Sequence, residues 1–292
     1  MIHPFQSPDA LLADIHASDR RDEGFRLWWL GQSGFLLQWQ GIHVLLDPYL
    51  SDSLTRKYSQ TDKPHVRMTE LVIDPFRLSF VNIITSTHNH TDHLDAETLC
   101  PILATKPSVK LVIAEANRDF VADRLKIDPG AAIGLDDGIS AETSGIKFSG
   151  VASAHETVER DEHGRARFLG YVLEFGRWTL YHSGDTVRYE GMAEKLRRFK
   201  IDVALLPING RAPERRVPGN LTGNEAAQLA RDIDAKLAIP CHFDMFEFNT
   251  AAPDEFTHQC QKLGQPFKVL RCGEPMAMQP QLRGEGVLPR VG

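Results

Sequence analysis

The stretch from Ser86 to Asp95, STHNHTDHLD, places three imidazoles and two carboxylates directly behind a short apolar run. Burying such groups costs several kcal/mol unless they are paired or bound to a metal. His88 and His90 have the two-residue spacing that sends both side chains to the same side of an extended segment, and Asp92 and His93 follow where the chain turns. The motif therefore predicts a metal site at the end of a buried strand.

Three later apolar runs each end near another residue that could bind a metal. They are residues 146–152 before His155, residues 178–181 before Asp185 and residues 237–239 before His242. A single histidine after a strand is usually an ordinary loop residue. The whole set, however, offers enough nitrogen and carboxylate donors for two divalent ions, and such ligands suit Zn²⁺ or Mn²⁺.

The order of apolar and polar segments indicates a mixed α/β (α+β) fold. Short strands punctuated by glycine fill residues 25–47, and later strands alternate with helices for which Asp95 and Thr222 are predicted N-caps. This pattern favours two sheets that pack on each other and are covered by helices. We expect residues 1–24 to be an N-terminal extension and residues 25–292 to form a single domain.

Two local features carry expectations of their own. Residues 48–70 are polar and lack periodicity, so this long segment is a candidate lid facing the substrate. Trp28 and Trp29 should face opposite sides of their strand, so at most one of them belongs to the core between the sheets, while the other meets a helix or another subunit.

Composition narrows the choice of partner. The chain has 33 basic and 39 acidic residues, so its net charge of -6 disfavours nucleic acid and membrane surfaces. No apolar run reaches the roughly 20 residues of a membrane span, the N-terminus lacks a signal-peptide pattern, and the four cysteines form no CxxC pair. We expect a cytoplasmic protein with a small-molecule substrate, and the sequence leaves a homo-oligomer open.

The segment THNHTDHLD resembles the His-x-His-x-Asp-His signature of the metallo-β-lactamase superfamily. Within it, the segments WWLGQSGFLL, IDPF and YHSGDT are similar to the branch that contains L-ascorbate 6-phosphate lactonase and related metal-dependent hydrolases. The resemblance implies a four-layer αββα sandwich and metal-assisted hydrolysis. It also implies the following ligands: His88, His90 and His155 on the first ion, Asp92, His93 and His242 on the second, and Asp185 bridging the two.

The expected chemistry is attack by a hydroxide held between the two ions on a small, anionic ester or lactone, with Asp92 moving a proton to the leaving group. Three alternatives remain open. A phosphodiesterase or nuclease would use the same ions. A redox protein would bind iron through the same histidine and carboxylate ligands, and a metal-stabilised binding protein would have no turnover.

The loop that follows the predicted strand at residues 203–206 is expected to lie over the metal ions. Asn209, Arg211, Arg215 and Arg216 in this loop are candidate substrate-binding residues, because arginine binds phosphate or carboxylate through two parallel hydrogen bonds. The alternative is a solvated loop in which Glu214 neutralises a neighbouring charge.

Overall fold

Thirteen strands and seven α-helices make up the computed structural model, which describes residues 1–18 and 23–280. The strands are β1 (Phe25–Gly31), β2 (Gly34–Trp39), β3 (Ile42–Leu46), β4 (Ile83–Ser86), β5 (Lys110–Ala114), β6 (Ala132–Leu135), β7 (Ser140–Thr143), β8 (Ile146–Ala152), β9 (Leu169–Phe175), β10 (Trp178–His182), β11 (Val203–Pro207), β12 (Leu237–Cys241) and β13 (Pro275–Met278). The helices are α1 (Pro8–Ala17), α2 (Ser53–Tyr58), α3 (Ala96–Thr105), α4 (Arg118–Leu125), α5 (Met192–Arg197), α6 (Gly223–Asp232) and α7 (Asp254–Leu263).

The strands form two mixed sheets. The first has seven strands in the order β13-β1-β2-β3-β4-β5-β6, antiparallel from β13 to β3 and parallel from β3 to β6. The second has six strands in the order β12-β11-β10-β9-β8-β7, parallel from β12 to β10 and antiparallel beyond. The parallel strands β4, β5 and β11 are almost wholly buried, which is typical of strands covered on both faces.

The two sheets face each other across one apolar core. Phe25 of β1 packs edge-on against Phe175 and Trp178 of the other sheet, with ring centroids 5.3 and 5.2 Å apart. Most buried apolar residues of both sheets and of the helices belong to the same cluster, whereas Leu54 of α2 belongs to a second, smaller one with Tyr49, Met245 and Phe246. The predicted fold class, two mixed sheets with helices, is confirmed.

The two predicted helix starts are confirmed as well. Asp95 accepts a hydrogen bond from the backbone N–H of Thr98 at the start of α3. Thr222 caps α6 as part of a reciprocal pair, because its side chain accepts from Glu225 N–H and the Glu225 carboxylate accepts from Thr222 N–H.

Trp28 and Trp29 are both buried, and they face opposite sides of β1 as predicted. Trp28 faces helix α1, where its indole N–H donates to Asp14 Oδ2 at 2.8 Å. Trp29 stacks on Phe243 with ring centroids 4.4 Å apart, on the side of the sheet where β12 ends.

The described part of the predicted N-terminal extension packs against the rest of the fold. Leu11 and Ile15 of α1 are buried, and Phe5 N–H donates to Cys272 O just before β13. Residues 19–22 of the extension and residues 281–292 of the predicted domain lie outside the described residues. Among the residues described, no helix combines the length and apolar character that a membrane crossing requires.

If α1 is part of the folded unit, Leu11→Ala should lower the free energy of unfolding by about 2–5 kcal/mol, since a fully buried leucine leaves a cavity. The matched control is Leu12→Ala, one residue further along the helix and only partly buried, for which we expect a clearly smaller loss. Urea unfolding of both variants measures the difference. Equal and small losses would show that α1 is dispensable.

Candidate metal centre

The potential metal ligands lie together at the carboxyl ends of four strands. The motif residues follow β4 in the first sheet, and His155, Asp185 and His242 follow β8, β10 and β12 in the second. The structure thus brings the seven predicted ligands into one cluster, buried except for the partly exposed His90 and Asp92, whose members come from both sheets.

One group within this cluster consists of three imidazoles and a carboxylate. His88, His90, His155 and Asp185 each place one donor atom within 4.8 Å of the others. The rings of His90 and His155 lie 5.0 Å apart, and those of His88 and His90 lie 4.6 Å apart. This is a donor set that Zn²⁺ or Mn²⁺ accepts.

A second group forms beside it from Asp92, His93 and His242, whose donor atoms also lie within 4.8 Å of one another. Asp92 Oδ2 lies 3.7 Å from His93 Nε2 and 3.6 Å from His242 Nε2. The two groups are separate sets of donors, so the cluster offers two positions for an ion.

Asp185 lies between the two groups. Its Oδ1 is 3.2 Å from His93 Nε2, and its Oδ2 is 3.5 Å from His242 Nε2 and 3.6 Å from His155 Nε2. Because histidines of both groups surround this carboxylate, Asp185 is positioned so that one ion on each side could share it as a ligand.

Buried donor atoms without hydrogen-bond partners show that the cluster suits cations. Among the described residues, His88 Nε2 is buried and has no hydrogen-bond partner, and His93 Nε2 and Asp185 Oδ1, although 3.2 Å apart, form no hydrogen bond with each other or with another group. Leaving such atoms unsatisfied costs about 1–3 kcal/mol each. Metal ions at the two positions would satisfy them.

The opposite ring nitrogens are held by other groups. His93 Nδ1 lies 2.7 Å from Asp47 Oδ2, His155 Nδ1 lies 3.0 Å from Gly219 O, and His88 Nδ1 lies 3.0 Å from Thr87 Oγ1. This arrangement is characteristic of metal-binding histidines, in which one nitrogen is oriented by a hydrogen bond while the other faces the ion.

Asp47 is a candidate site residue that the sequence analysis missed. It is fully buried at the end of β3, and its carboxylate also accepts hydrogen bonds from Thr85 Oγ1 and from the backbone and side chain of Thr87. Because these contacts use both oxygens, Asp47 orients His93 and is not itself a free donor. The signal was present, since Asp47 follows a buried strand as the predicted ligands do.

The charges within the cluster favour the binding of cations. Burial and neighbouring imidazoles hold the pKa of His88 well below its ordinary value. Burial lowers the pKa of His93, but the carboxylates of Asp185 and Asp92 outweigh it and raise that pKa well above its ordinary value. By the same balance, the pKa of His242 rises to about 9. The two buried carboxylates therefore stabilise cations placed among these rings.

Gly184 permits the close approach of the Asp185 loop to the motif. Its φ of +58° is in the left-handed region, and a Cβ at this position would lie 2.7 Å from the Thr87 side chain. Any larger residue would push Asp185 away from the histidines that surround it.

A pocket of about 520 Å³ opens over the cluster. Its walls include Leu54, Lys57, Tyr58, Lys63, His65, Asn89, His90, Thr91, Asp92, Phe120, Arg124, His155, Asp185, Val217, Pro218, Asn220, His242, Phe248 and Asn249. The segment 48–70, the candidate lid, supplies one wall of this pocket through α2 and the residues that follow it.

The predicted substrate-binding arginines make their contacts outside the pocket. Arg211 pairs with Glu225, Arg216 pairs with Asp62, and Arg215 donates to Asn209 O and Thr250 O. None of the three lines the pocket, and the contacts of the loop therefore do not support a role for them in binding substrate.

Asn209 is also removed from the pocket, although it supports the pocket wall. It is buried at 2% exposure, donates to Asn249 Oδ1 and accepts from Asn220 Nδ2, both at 3.0 Å. Asn220 and Asn249 are the residues that face the pocket. Glu214, which the alternative would use to neutralise a neighbour, forms no described ion pair; Glu225 and Asp62 do so instead.

Comparison with known proteins identifies the family. The sequence profile described as "Beta-lactamase superfamily domain" matches residues 43–243. A protein of Sulfolobus acidocaldarius named UPF0173 metal-dependent hydrolase is 28% identical over 256 residues, which cover 87% of this chain and 99% of that protein.

Solved structures show the same fold. Igni18, a metallo hydrolase from Ignicoccus hospitalis, has a TM-score of 0.65 at 19% identity, over 88% of this chain and 100% of that chain. An isothiocyanate hydrolase from Delia radicum gut bacteria has a TM-score of 0.69 at 20% identity, over 87% and 99%. The superfamily predicted from the sequence is confirmed, and the narrower lactonase branch stays a prediction.

If Asp47 orients His93, Asp47→Asn should weaken binding at the second metal position by about 10- to 100-fold, the usual effect of losing such a partner. Titration of metal-free protein with Zn²⁺ or Mn²⁺ measures this. The matched control is Asp202→Asn, because Asp202 is a buried aspartate directly before β11 that pairs with Lys236 and lies outside the cluster. Equal affinities for the second ion in the two variants would show that Asp47 does not support metal binding.

Proposed function

The chain belongs to the β-lactamase superfamily, and we propose that it is a metal-dependent hydrolase that uses two divalent ions to cleave a small, anionic ester or lactone. The position of Asp185 between two groups of histidines, at 3.2 to 3.6 Å from three of them, carries the two-ion part of this proposal. The name of the Sulfolobus relative, metal-dependent hydrolase, supports the reaction class.

The protein would hold the ions through two sets of side chains. His88, His90 and His155 would hold the first ion, Asp92, His93 and His242 the second, and Asp185 both. Zn²⁺ or Mn²⁺ at these positions would polarise the scissile carbonyl or phosphoryl oxygen and make water a stronger acid.

Asp92 is the residue proposed to move a proton. Burial raises the pKa of its carboxyl, but His93 and His242 outweigh burial and hold that pKa below its ordinary value, so the carboxylate is ionised. Its contacts with Gln32, His93 and His242 all involve Oδ2. Oδ1 is therefore the oxygen proposed to accept a proton from water and return it to the leaving group.

The charge of the pocket supports an anionic substrate. Lys57, Lys63 and Arg124 line it, and none of the three forms an ion pair with an acid among the described residues. Lys63 donates to the backbone oxygen of Arg216, and Arg124 donates to Asn89 O and lies 4.4 Å from the ring of Phe120.

The acids in the pocket wall do not cancel these charges. Asp92 and Asp185 are the only carboxylates among its lining residues, and both belong to the proposed metal cluster. Two divalent ions would offset them, so the cations in the wall remain available for a carboxylate or phosphate on the substrate.

The substrate class is tested by comparing rates on sugar lactones, with and without a phosphate group, with rates on phosphodiesters and thioesters. We expect the highest kcat/KM on a phosphorylated lactone. Preference for a phosphodiester would instead assign the chain to the nuclease and phosphodiesterase alternative. No turnover on any compound by metal-loaded protein would favour a binding protein.

Asp92→Asn retains an oxygen beside the second ion and removes the base. We therefore expect turnover to fall by about 10² or more, the scale of general acid–base catalysis, while most of the metal is kept. Steady-state kinetics and elemental analysis of the same preparation separate the two effects. Near-normal turnover with both ions bound would exclude Asp92 from proton transfer.

Replacing both pocket lysines with methionine, in Lys57→Met/Lys63→Met, should raise KM for a phosphorylated lactone by about 3- to 30-fold, because charge-assisted contacts are lost. The KM of the neutral lactone should change little. Lys126→Met is the matched control, since Lys126 pairs with Asp123 outside the pocket wall. Equal losses on charged and neutral lactones would contradict an anionic substrate.

A further inference from the structure

The carboxamide of Gln32 lies inside the metal cluster, although it belongs to neither donor group described above. The residue is buried at 1% exposure. Its Nε2 lies 2.8 Å from Asp92 Oδ2 and 3.0 Å from His242 Nε2. Both of these atoms are proposed donors to the second ion.

The backbone of Gln32 is fixed in a strained conformation that places the side chain there. Its φ is +50°, in the left-handed region that residues other than glycine rarely adopt. Gln32 O accepts from the Trp29 indole N–H and from His242 N–H, both at 2.9 Å. Strain of this kind persists where the surrounding structure enforces it, commonly at functional sites.

The amide nitrogen and a second ion would compete for the same two atoms. An amide N–H that donates to Asp92 Oδ2 and lies 3.0 Å from His242 Nε2 occupies the place that an ion bound to these two atoms would need. Nitrogen and oxygen of a carboxamide exchange places by a half turn, and the two orientations are assigned from their surroundings. Gln32 Oε1 is buried and has no hydrogen-bond partner among the described residues.

The spacing fits a coordinating atom. Donor atoms bound at about 2.0–2.2 Å to an ion such as Zn²⁺ lie on the order of 3 Å from one another. The terminal atom of Gln32 has this spacing from Asp92 Oδ2, at 2.8 Å, and from His242 Nε2, at 3.0 Å.

We propose that Gln32 is a ligand of the second metal ion, with its carboxamide turned so that Oε1 faces the ion. The second position would then have oxygen donors from Gln32, Asp92 and Asp185 beside the imidazoles of His93 and His242. The first position has three imidazoles and only the shared carboxylate. Because carbonyl and carboxylate oxygens suit Mn²⁺ better than they suit softer ions, Gln32 shifts the second position toward Mn²⁺ relative to the first. This inference rests on the two-ion site of the proposed function.

The test is a titration of metal-free protein with Mn²⁺ in which the electron paramagnetic resonance signal of free Mn²⁺ reports binding. We expect two ions in the unmodified protein. In Gln32→Leu, the first ion should bind as before and the second at least about 10-fold more weakly. Gln32→Glu, which restores an oxygen donor, should bind the second ion tightly again.

Gln265→Leu is the matched control. Gln265 is also buried, at 3% exposure, but it donates to Ala235 O and Pro266 O away from the cluster. This variant should bind two ions, and binding of the first ion by Gln32→Leu shows that the cluster has formed.

Unchanged or tighter binding of the second ion by Gln32→Leu would overturn the proposal. The amide would then act only as a hydrogen-bond donor that occupies the position when no ion is bound. Equally weak second binding by Gln32→Glu would overturn it too. A single ion in the unmodified protein would overturn both this inference and the two-ion mechanism. A failure to hydrolyse lactones leaves the titration unaffected, so a wrong substrate class is distinguishable from a wrong ligand assignment for Gln32.

Discussion

The rest of the site depends on one constraint: the Asp185 carboxylate contacts histidines on both sides of the cluster. A buried carboxylate is costly unless positive charge compensates it. His93, His155 and His242 all lie within 3.6 Å of its oxygens, and two of these rings have raised pKa values for this reason. The β10 strand, the glycine that follows it and the polar loop after β4 all serve to bring these groups together.

Backbone strain gathers where this cluster is built. Gln32, Asp47 and His242 have φ values of +50°, +38° and +62°, and each lies in the loop that follows a strand. Such conformations cost about 1–3 kcal/mol each and persist only when the surroundings enforce them. The free energy gained by burying the apolar core between the sheets offsets this cost. The site thus destabilises its own loops, and the rest of the fold compensates.

Much of the site could be predicted because its donors obey a local rule. Each predicted ligand follows an apolar run, and strand ends meet at one edge of a sheet, so residues far apart in the chain could be grouped without a structure. The same rule applied to Asp47 would have added it.

The arginine loop is different: the partners of Arg211 and Arg216 are Glu225 in α6 and Asp62 in the segment before β4. Such pairs depend on how distant elements pack, which local patterns do not show. The place of Gln32 depends on a left-handed φ that a Gly-Gln-Ser sequence does not reveal.

The cluster draws its donors from both sheets, and this has a thermodynamic consequence for the whole chain. The motif after β4 belongs to the first sheet, whereas His155, Asp185 and His242 belong to the second. An ion held by both would bind the folded chain and not the unfolded one, so its binding energy would add to the cohesion of the two halves. At a free-ion concentration of about 100 times the Kd, this linkage amounts to about 2.7 kcal/mol. The supply of metal in the surroundings would then set how firmly the two sheets stay together, as well as whether the centre is filled.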